Sequence, residues 1–278
     1  MIVEAKKYLR RIGAAVATLS CLGLTTLSST AVTAHAHKSF HPTGINPGLT
    51  NKNWIIYGDS IGTEIAAFLP NMVERRHGAQ TTLRTYGGTN ACKWFEEAED
   101  DQFFDVSIVV IVFTGADFVS CMLNDGHKLP SITRIYRTVQ DSKQLASMFP
   151  HAQIYFLSYP RSIAEQSDLD NGKMPLADIR NALFRAASHE NQNWHFVDAA
   201  KSLYVKNRAV MAMPCKRFDD AFCDHGQIPV RGEDGKHMCP GIGEVVGLTT
   251  VCSTHSSGAL RVTYRLLEVV ESTYPRTG

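Results

Sequence analysis

The chain lacks an excess of charge of either sign. It carries 28 lysine and arginine residues against 27 aspartate and glutamate residues, so its formal net charge at pH 7 is +1. Beyond the N-terminal segment it also lacks a basic run. Proteins that bind nucleic acid usually display a basic patch towards the phosphate backbone. The sequence therefore gives no electrostatic reason to expect a nucleic-acid partner.

Internal repeats, low-complexity segments and closely spaced cysteine pairs are missing as well. No two cysteines have the C-x2-C spacing that is typical of structural zinc sites. A metal site remains a weaker alternative, built from Cys215, Cys223, His225, His237 and Cys239. We predict no metal and no cofactor.

Residues 1–36 have the three parts of a secretory signal peptide. Four basic residues lie between positions 6 and 11, an apolar stretch covers residues 12–27, and Ala34-His35-Ala36 fits the A-x-A cleavage rule. The apolar stretch is too short and too rich in serine and threonine for a membrane span. We predict cleavage after Ala36 and a secreted or envelope-associated protein, with an uncleaved N-terminal anchor as the alternative.

Export changes how the remaining cysteines are interpreted, because an even number in an exported chain favours disulfides. Six follow the predicted cleavage site: Cys92, Cys121, Cys215, Cys223, Cys239 and Cys252. The sequence leaves their connectivity open. We predict that sequence neighbours pair, 92 with 121, 215 with 223 and 239 with 252, because each pair brackets one loop.

From position 54 onwards, short apolar runs alternate with helix-like patterns. Strands are predicted over 54–57, 81–86, 106–113, 153–158 and 195–197, and helices over 63–77, 131–149, 175–190 and 256–274. This alternation predicts one α/β domain over 54–278, after an extended lead-in over 37–53, with a mostly parallel sheet covered by helices on both faces. Ligands bind such sheets at the carboxyl ends of the strands.

Residues 209–252 depart from this pattern, with three prolines, four cysteines and little periodicity. A stretch of this length without regular structure is usually either functional or disordered. Its cysteines favour an ordered loop that presents Asp234 and His237.

Two segments at opposite ends of the domain supply the parts of a catalytic serine site. Ser60 follows the first strand and is the candidate nucleophile, with an ordinary helix N-cap as its alternative role. His237 is the candidate general base, and Asp234 can orient its imidazole ring. The backbone N–H groups of Ser60 and Gly88 are candidate donors to an oxyanion. His255 is a weaker candidate base, because no acidic residue stands three positions before it.

These residues resemble the SGNH or GDSL hydrolases, in particular exported actinobacterial members. Gly58-Asp59-Ser60 matches the family's nucleophile block, the Gly87-Gly88 pair its second block, and Asp234 to His237 its Asp-x-x-His block. The resemblance covers essentially the whole mature chain. It implies a three-layer, flavodoxin-like α/β sandwich with disulfide-stapled loops, and a serine hydrolase that needs no cofactor.

One family position departs from the pattern. The third block normally supplies an asparagine amide to the oxyanion, but here the strand is followed by Thr114-Gly115-Ala116-Asp117. Loss of one such donor can cost about 2.7–4 kcal/mol of transition-state stabilisation. Asn90, close to the glycine pair, is the candidate substitute.

Three further residues near these motifs have weaker functional interpretations. Arg231 is a candidate for binding a substrate carboxylate or phosphate, although a structural ion pair is favoured. Trp94, near the glycine pair, is a candidate ligand contact. Asp59 is interpreted as a residue that holds the turn before Ser60.

The resulting hypothesis is an exported esterase that hydrolyses short acyl esters of small molecules or glycans through an acyl-serine intermediate. Short chains are favoured because the sequence has no apolar lid helix. The alternatives are transfer of the acyl group to an envelope glycan or glycolipid, and a catalytically weak protein that binds such a ligand. Transient contact with the cell envelope is expected in each case.

Overall fold

A computed structural model describes residues 46–116, 118–239 and 255–276. The predicted signal segment with its cleavage site, the first part of the lead-in, Asp117 and Cys252 lie outside the described residues. In the part of the chain that is described, no helix is long and apolar enough to cross a membrane.

Five parallel strands form the central sheet. Their bounds are β1 Asn53–Gly58, β2 Gln80–Thr85, β3 Val106–Val112, β4 Gln153–Leu157 and β5 Trp194–Val197. The strand order is β2-β1-β3-β4-β5, with every neighbouring pair parallel. This is the flavodoxin-like order, which reverses direction between β1 and β3 and places ligands at the carboxyl ends of those two strands.

In the described residues, seven α-helices accompany the sheet. Their bounds are α1 Ser60–Ala66, α2 Leu69–His77, α3 Phe95–Asp101, α4 Ser131–Ser147, α5 Ile163–Asp170, α6 Leu176–Ala187 and α7 Ser257–Thr273. Apolar residues of α1, α2 and α7 pack with one face of the sheet. Those of α3 and α4, with Phe184 of α6, pack with the other face. The predicted α/β sandwich with helices on both faces is thereby confirmed.

The region predicted as one helix over 63–77 contains two. Helix α1 ends at Ala66, and α2 begins at Leu69 with Pro70 in its first turn. Proline lacks a backbone N–H and disfavours the helical conformation in the preceding residue, so it suits a helix start and interrupts a helix interior.

The end of the predicted lead-in packs against the C-terminal helix. A short 3-10 turn covers Pro47–Leu49. The buried Asn46 amide donates to the carbonyl oxygens of Glu271 and Tyr274 at 3.2 and 2.8 Å. Residues 46–52 are therefore attached to the domain by contacts as well as by the chain.

Disulfides and short hairpins order the loops. The predicted Cys92–Cys121 and Cys215–Cys223 bonds are both present. Cys239 is also disulfide-bonded, and Cys252, its predicted partner, lies outside the described residues. Within the long loop, Ala212–Pro214 pairs antiparallel with Gln227–Pro229. Backbone pairing and a disulfide thus order the segment before Asp234.

Candidate active site

Ser60 is the first residue of α1, directly after the turn that leaves β1. Asp59 caps this helix, because its Oδ1 accepts a hydrogen bond from the Ile61 N–H at 3.1 Å. Its Oδ2 accepts from the Thr114 N–H at 2.6 Å and from the Thr114 hydroxyl at 2.5 Å. The fully buried Asp59 therefore joins the turn after β1 to the end of β3.

Glycine lets α1 start close to the sheet. A Cβ atom at Gly58 would lie 2.8 Å from the Gly62 Cα and 3.0 Å from the Val112 carbonyl oxygen. Both distances are shorter than van der Waals contact allows, so no larger residue fits at position 58 unless the helix moves. This close approach sets Ser60 above the carboxyl ends of β1 and β3.

Asp234 organises the turn that carries His237. Its Oδ1 accepts from the backbone N–H groups of Lys236 and His237 at 2.9 and 3.0 Å. The Gly232 N–H closes the turn by donating to the His237 carbonyl oxygen at 2.8 Å. Gly235 has φ of 64°, a left-handed conformation that glycine adopts without strain.

The structure brings Ser60, His237 and Asp234 together. The Asp234 Oδ2 lies 2.5 Å from His237 Nδ1, and His237 Nε2 lies 3.0 Å from the Ser60 Oγ. With the proton on Nδ1 donated to Asp234, Nε2 is left to accept the serine proton. The His237 and Asp234 side chains are 17% and 38% exposed, so the site is open to a substrate.

Hydrogen bonding keeps Asp234 ionised. Partial burial raises the pKa of its carboxyl, but hydrogen bonds from the Lys236 N–H and from His237 together outweigh burial and hold the pKa below its ordinary value. A carboxylate that stays charged at neutral pH can stabilise the imidazolium formed when His237 takes a proton.

Backbone N–H groups beside Ser60 are available to a ligand. In the described part of the chain, the N–H groups of Ser60, Gly87 and Gly88 donate to no other group of the protein. A Cβ on Gly87 would lie 3.9 Å from the Ser60 Cβ, whereas one on Gly88 would meet the Phe118 ring at 3.0 Å. The glycine turn therefore lies next to Ser60, and Gly87 faces it more directly.

Asn90 is committed to contacts away from Ser60. It is fully buried, and its Nδ2 donates to the Thr138 hydroxyl on α4 at 2.8 Å and to the Ala116 carbonyl oxygen at 3.4 Å. Its Oδ1 accepts from the Ala91 N–H at 2.8 Å. Asn90 thus braces the glycine turn against α4, and its amide is not directed to the oxyanion position.

Arg231 lies beneath the Asp234–His237 turn and is only 2% exposed. Its Nη1 donates to the Lys236 carbonyl oxygen at 3.2 Å, and it forms no ion pair with any described residue. Burial lowers the pKa of its guanidinium group. Arg231 therefore supports the turn from inside, which is neither the predicted ion pair nor a surface contact for a ligand.

The structure also separates Trp94 and His255 from Ser60. Trp94 is half-buried and packs against the core cluster beneath α3 and α4. The His255 Nε2 lies 3.0 Å from Asp219 Oδ1, and the ring stacks on Phe222 with centroids 4.4 Å apart. Neither residue contacts the Ser60 hydroxyl.

Sequence reasoning missed Glu64, which lies on α1 one turn after Ser60. Its Oε2 accepts a buried hydrogen bond from the Met238 N–H at 2.8 Å. The available signal was the i, i+4 spacing, which puts both side chains on one face of a helix. Among the described residues, no cluster of histidine, cysteine, aspartate or glutamate has an arrangement suited to a metal ion.

Comparisons with known proteins agree with this architecture. No family model matches the chain, and no curated protein matches it by sequence. Among solved structures, a variant of Axe2, an acetyl-xylooligosaccharide esterase from Geobacillus stearothermophilus, aligns at a TM-score of 0.51 and 13% identity. This alignment covers 82% of the present chain and 98% of Axe2. TesA aligns at a TM-score of 0.50 and 10% identity, over 80% of this chain and 99% of TesA. The chain thus has the fold of these proteins.

Proposed function

We propose that this protein is an exported serine esterase that hydrolyses short acyl esters, with Ser60 as nucleophile, His237 as general base and Asp234 as the residue that orients the base. The observation that carries the proposal is the continuous Asp234–His237–Ser60 hydrogen-bond chain, at 2.5 and 3.0 Å. Its position at the carboxyl ends of β1 and β3, where this fold binds ligands, supports the same assignment.

Acylation begins when His237 Nε2 takes the Ser60 proton as Oγ bonds to the ester carbonyl carbon. The carbonyl electron pair moves onto oxygen, giving a tetrahedral oxyanion and an imidazolium stabilised by Asp234. Collapse of this intermediate breaks the bond to the alcohol, whose oxygen receives the proton from His237. Water then repeats the sequence on the acyl-serine, releasing the acid and restoring the free hydroxyl.

The N–H groups of Ser60 and of Gly87 or Gly88 are the proposed oxyanion donors. Their freedom from other partners among the described residues supports this role, because an oxyanion hole needs donors that are already in place. No asparagine side chain joins them here, since the Asn90 amide is bound to Thr138. We therefore expect slower turnover than a site with a third donor would give, by a factor on the order of 10²–10³.

Carbohydrate acetyl esters are the first substrates to test. The solved structure of Axe2 is described as that of an acetyl-xylooligosaccharide esterase, and the signal-like N-terminal segment favours a substrate outside the cytoplasm. The Cys92–Cys121 and Cys215–Cys223 bonds support an oxidising compartment. Acylated glycans of the cell envelope are carbohydrate esters, and they lie outside the cytoplasm.

The test is hydrolysis of p-nitrophenyl esters from acetyl to octanoyl, and of acetylated xylo-oligosaccharides, by the purified mature chain. Ser60→Ala is the matched variant, because it removes one oxygen atom and leaves the helix start intact. We expect activity that is highest for short chains and that disappears in Ser60→Ala. Equal activity in both proteins would exclude Ser60 as nucleophile.

A second candidate function is binding of an acylated ligand with little turnover, favoured by the missing side-chain donor at the oxyanion position. A fluorophosphonate probe separates the two functions, because it reports an activated serine without needing a natural substrate. Labelling of the wild type together with ester turnover supports the esterase. The absence of both labelling and turnover would support the binding protein. Labelling without hydrolysis, followed by product formation when a sugar acceptor is added, would identify an acyltransferase.

A further inference from the structure

Glu64 is a buried acidic residue that the proposed reaction does not use. It is 1% exposed and lies on α1, four residues after Ser60, so both side chains project from the same face of the helix. A buried carboxyl group is expensive unless it is hydrogen-bonded or neutral. Its position beside the nucleophile therefore calls for a structural reason.

The reason lies in the chain segment directly after His237. The Glu64 Oε2 accepts from the Met238 N–H at 2.8 Å, across 174 residues of sequence. Met238 is fully buried, and its carbonyl oxygen accepts from the Ser256 hydroxyl at 2.6 Å. Both polar backbone groups of the residue next to the base are thus held by buried side chains.

Bonds within the turn do not set its distance from the nucleophile. Asp234 binds the His237 ring and backbone, and Gly232 binds the His237 carbonyl oxygen. These contacts fix the shape of the turn, whereas the bond from Glu64 joins the turn to α1. A turn with correct shape but a shifted position would leave His237 Nε2 out of reach of Ser60.

Glu64 is suited to accept a hydrogen bond without carrying charge into the site. Burial raises the pKa of its carboxyl well above the ordinary value, and backbone hydrogen bonds from Met238 and Cys239 offset this only in part. Among the charged groups that face it, Asp234 and Asp59 raise its pKa further, whereas Arg231 on the turn side acts in the opposite direction.

We propose that Glu64 is a positioning residue, which ties the main chain beside His237 to the helix that carries Ser60 and thereby holds Nε2 at hydrogen-bonding distance from the serine oxygen. The proposal rests on the proposed function, since it concerns the same serine and histidine. It adds a second residue of α1 to the apparatus that aligns the base.

The first experiment compares Glu64→Ala, Glu64→Leu and Glu64→Gln by kcat and KM on p-nitrophenyl acetate. Removing the acceptor in the Ala and Leu variants should lower kcat by roughly 10²-fold with little change in KM, because small misplacements of catalytic groups have effects of this size. Glu64→Gln should recover most of the loss, since a neutral amide oxygen can accept the same Met238 N–H. Glu64→Leu also removes the acceptor but fills the space of the side chain, so its kcat is not affected by the cavity that Glu64→Ala would leave.

Ile65→Ala is the matched control on the same helix. Ile65 is fully buried and belongs to the core cluster, so its truncation should lower Tm while kcat stays close to wild type. A fall of kcat in Ile65→Ala equal to that in Glu64→Leu would overturn the positioning role in favour of general destabilisation. Retention of full kcat by Glu64→Leu, or an equal loss in Glu64→Gln, would overturn it as well.

A second measurement needs no substrate and so separates this proposal from the proposed function. The ¹⁵N chemical shift of His237 Nε2, assigned with His237→Gln, reports the hydrogen bond between this nitrogen and the Ser60 hydroxyl. It should be the same in the wild type and Glu64→Gln, and should move in Glu64→Leu towards its value in Ser60→Ala. Unchanged signals in all three proteins would contradict the positioning role even if the wild type hydrolysed esters. If the wild type hydrolysed no ester and took no fluorophosphonate, the esterase function would fail while this comparison still decided the role of Glu64.

Discussion

Among the described residues of the C-terminal part, two histidine–aspartate pairs have opposite surroundings. Asp234 and His237 lie on an open turn, and the free imidazole nitrogen of His237 points to Ser60. Asp219 is fully buried and binds His255 at 3.0 Å and the Arg261 guanidinium at 2.9 Å. The same two residue types thus form the proposed catalytic pair in one place and a buried ion-pair cluster in the other.

The difference between the two pairs is the reason for proposing His237, and not His255, as the base. The Asp219 carboxylate shares its charge with Arg261 as well as His255, and the Phe222 ring covers the His255 imidazole. The Asp234 carboxylate binds its own turn and one imidazole, whose second nitrogen lies 3.0 Å from a hydroxyl. The proposed role of His237 therefore rests on the partner of its second imidazole nitrogen more than on the presence of a carboxylate.

Replacing the two histidines should give the largest contrast. His237→Ala removes the proposed base and should lower kcat on p-nitrophenyl acetate by a factor on the order of 10⁵ or more. His255→Ala removes a structural contact and should leave kcat close to wild type while lowering Tm. Steady-state kinetics and thermal unfolding of both variants test this, and a reversed order of the two kcat values would exchange their roles.

Replacing the two aspartates should separate activity from stability. Asp234→Asn should lower kcat by about 10⁴-fold, because an amide no longer stabilises the required imidazole tautomer. Asp219→Asn leaves the buried Arg261 without a charge partner and should lower the free energy of unfolding by about 3–5 kcal/mol. Denaturant unfolding beside kinetics measures both effects. A large loss of kcat in folded Asp219→Asn would show that the two pairs are coupled.

Removing the Cys215–Cys223 disulfide should affect the structural pair more than the reactive one. The bond closes a loop with a sequence separation of 8, for which chain entropy predicts a loss of about 2.5 kcal/mol on removal. Cys215→Ser with Cys223→Ser should therefore lower the free energy of unfolding while kcat is largely kept. The comparison is the double variant Cys92→Ser with Cys121→Ser, which removes the disulfide beside the glycine turn. We expect this variant to lower kcat as well as the free energy of unfolding.

Acid should affect the two aspartates to different extents. Burial raises the pKa of Asp219, but hydrogen bonds from His255, the Lys216 N–H, Ser257 and Arg261 hold it below its ordinary value; the pKa of Asp234 is lowered too. A carboxyl whose pKa is lower in the folded state contributes stability above the unfolded value of about 3.9, and this contribution is lost as pH falls through the folded pKa.

We therefore expect the free energy of unfolding to fall below about pH 4, and to fall less steeply in Asp219→Asn. Asp234→Asn should have a smaller effect, because its side chain is 38% exposed and solvent screens its interactions. Urea unfolding of the wild type, Asp219→Asn and Asp234→Asn from pH 2.5 to 7 measures how steeply the free energy of unfolding of each protein depends on pH. Equal slopes in wild type and Asp219→Asn would contradict the assigned difference.

Local patterns in the sequence predict most of the sheet and its helices. The buried run of β3 and the amphipathic α4, α6 and α7 were predicted within three residues of their observed ends. Helix α5 was missed although Ser162 and Glu165 form a capping box that the sequence displays. The break between α1 and α2 follows from Pro70, whose effect on a helix interior is also local.

The contacts that the sequence left open depend on residues far apart in the chain. The direction of the Asn90 amide is set by Thr138, 48 positions later, and the role of Glu64 by Met238, 174 positions later. Arg231 was expected to form an ion pair, but it donates to a carbonyl oxygen of the turn it supports. Neither periodicity nor a motif predicts such long-range contacts, because these contacts form only when the sheet has formed.

The close approach of α1 to β1 has a consequence for mutational screens. A methyl group at position 58 would collide with the backbone at 2.8 Å, whereas one at position 62 would meet Thr85 at 3.4 Å, an ordinary contact. A library selected for ester hydrolysis should therefore retain glycine at position 58 as strictly as serine at position 60, and accept alanine at position 62. Invariance at position 58 would then reflect the room that the helix needs, in a residue with no side chain to touch a substrate.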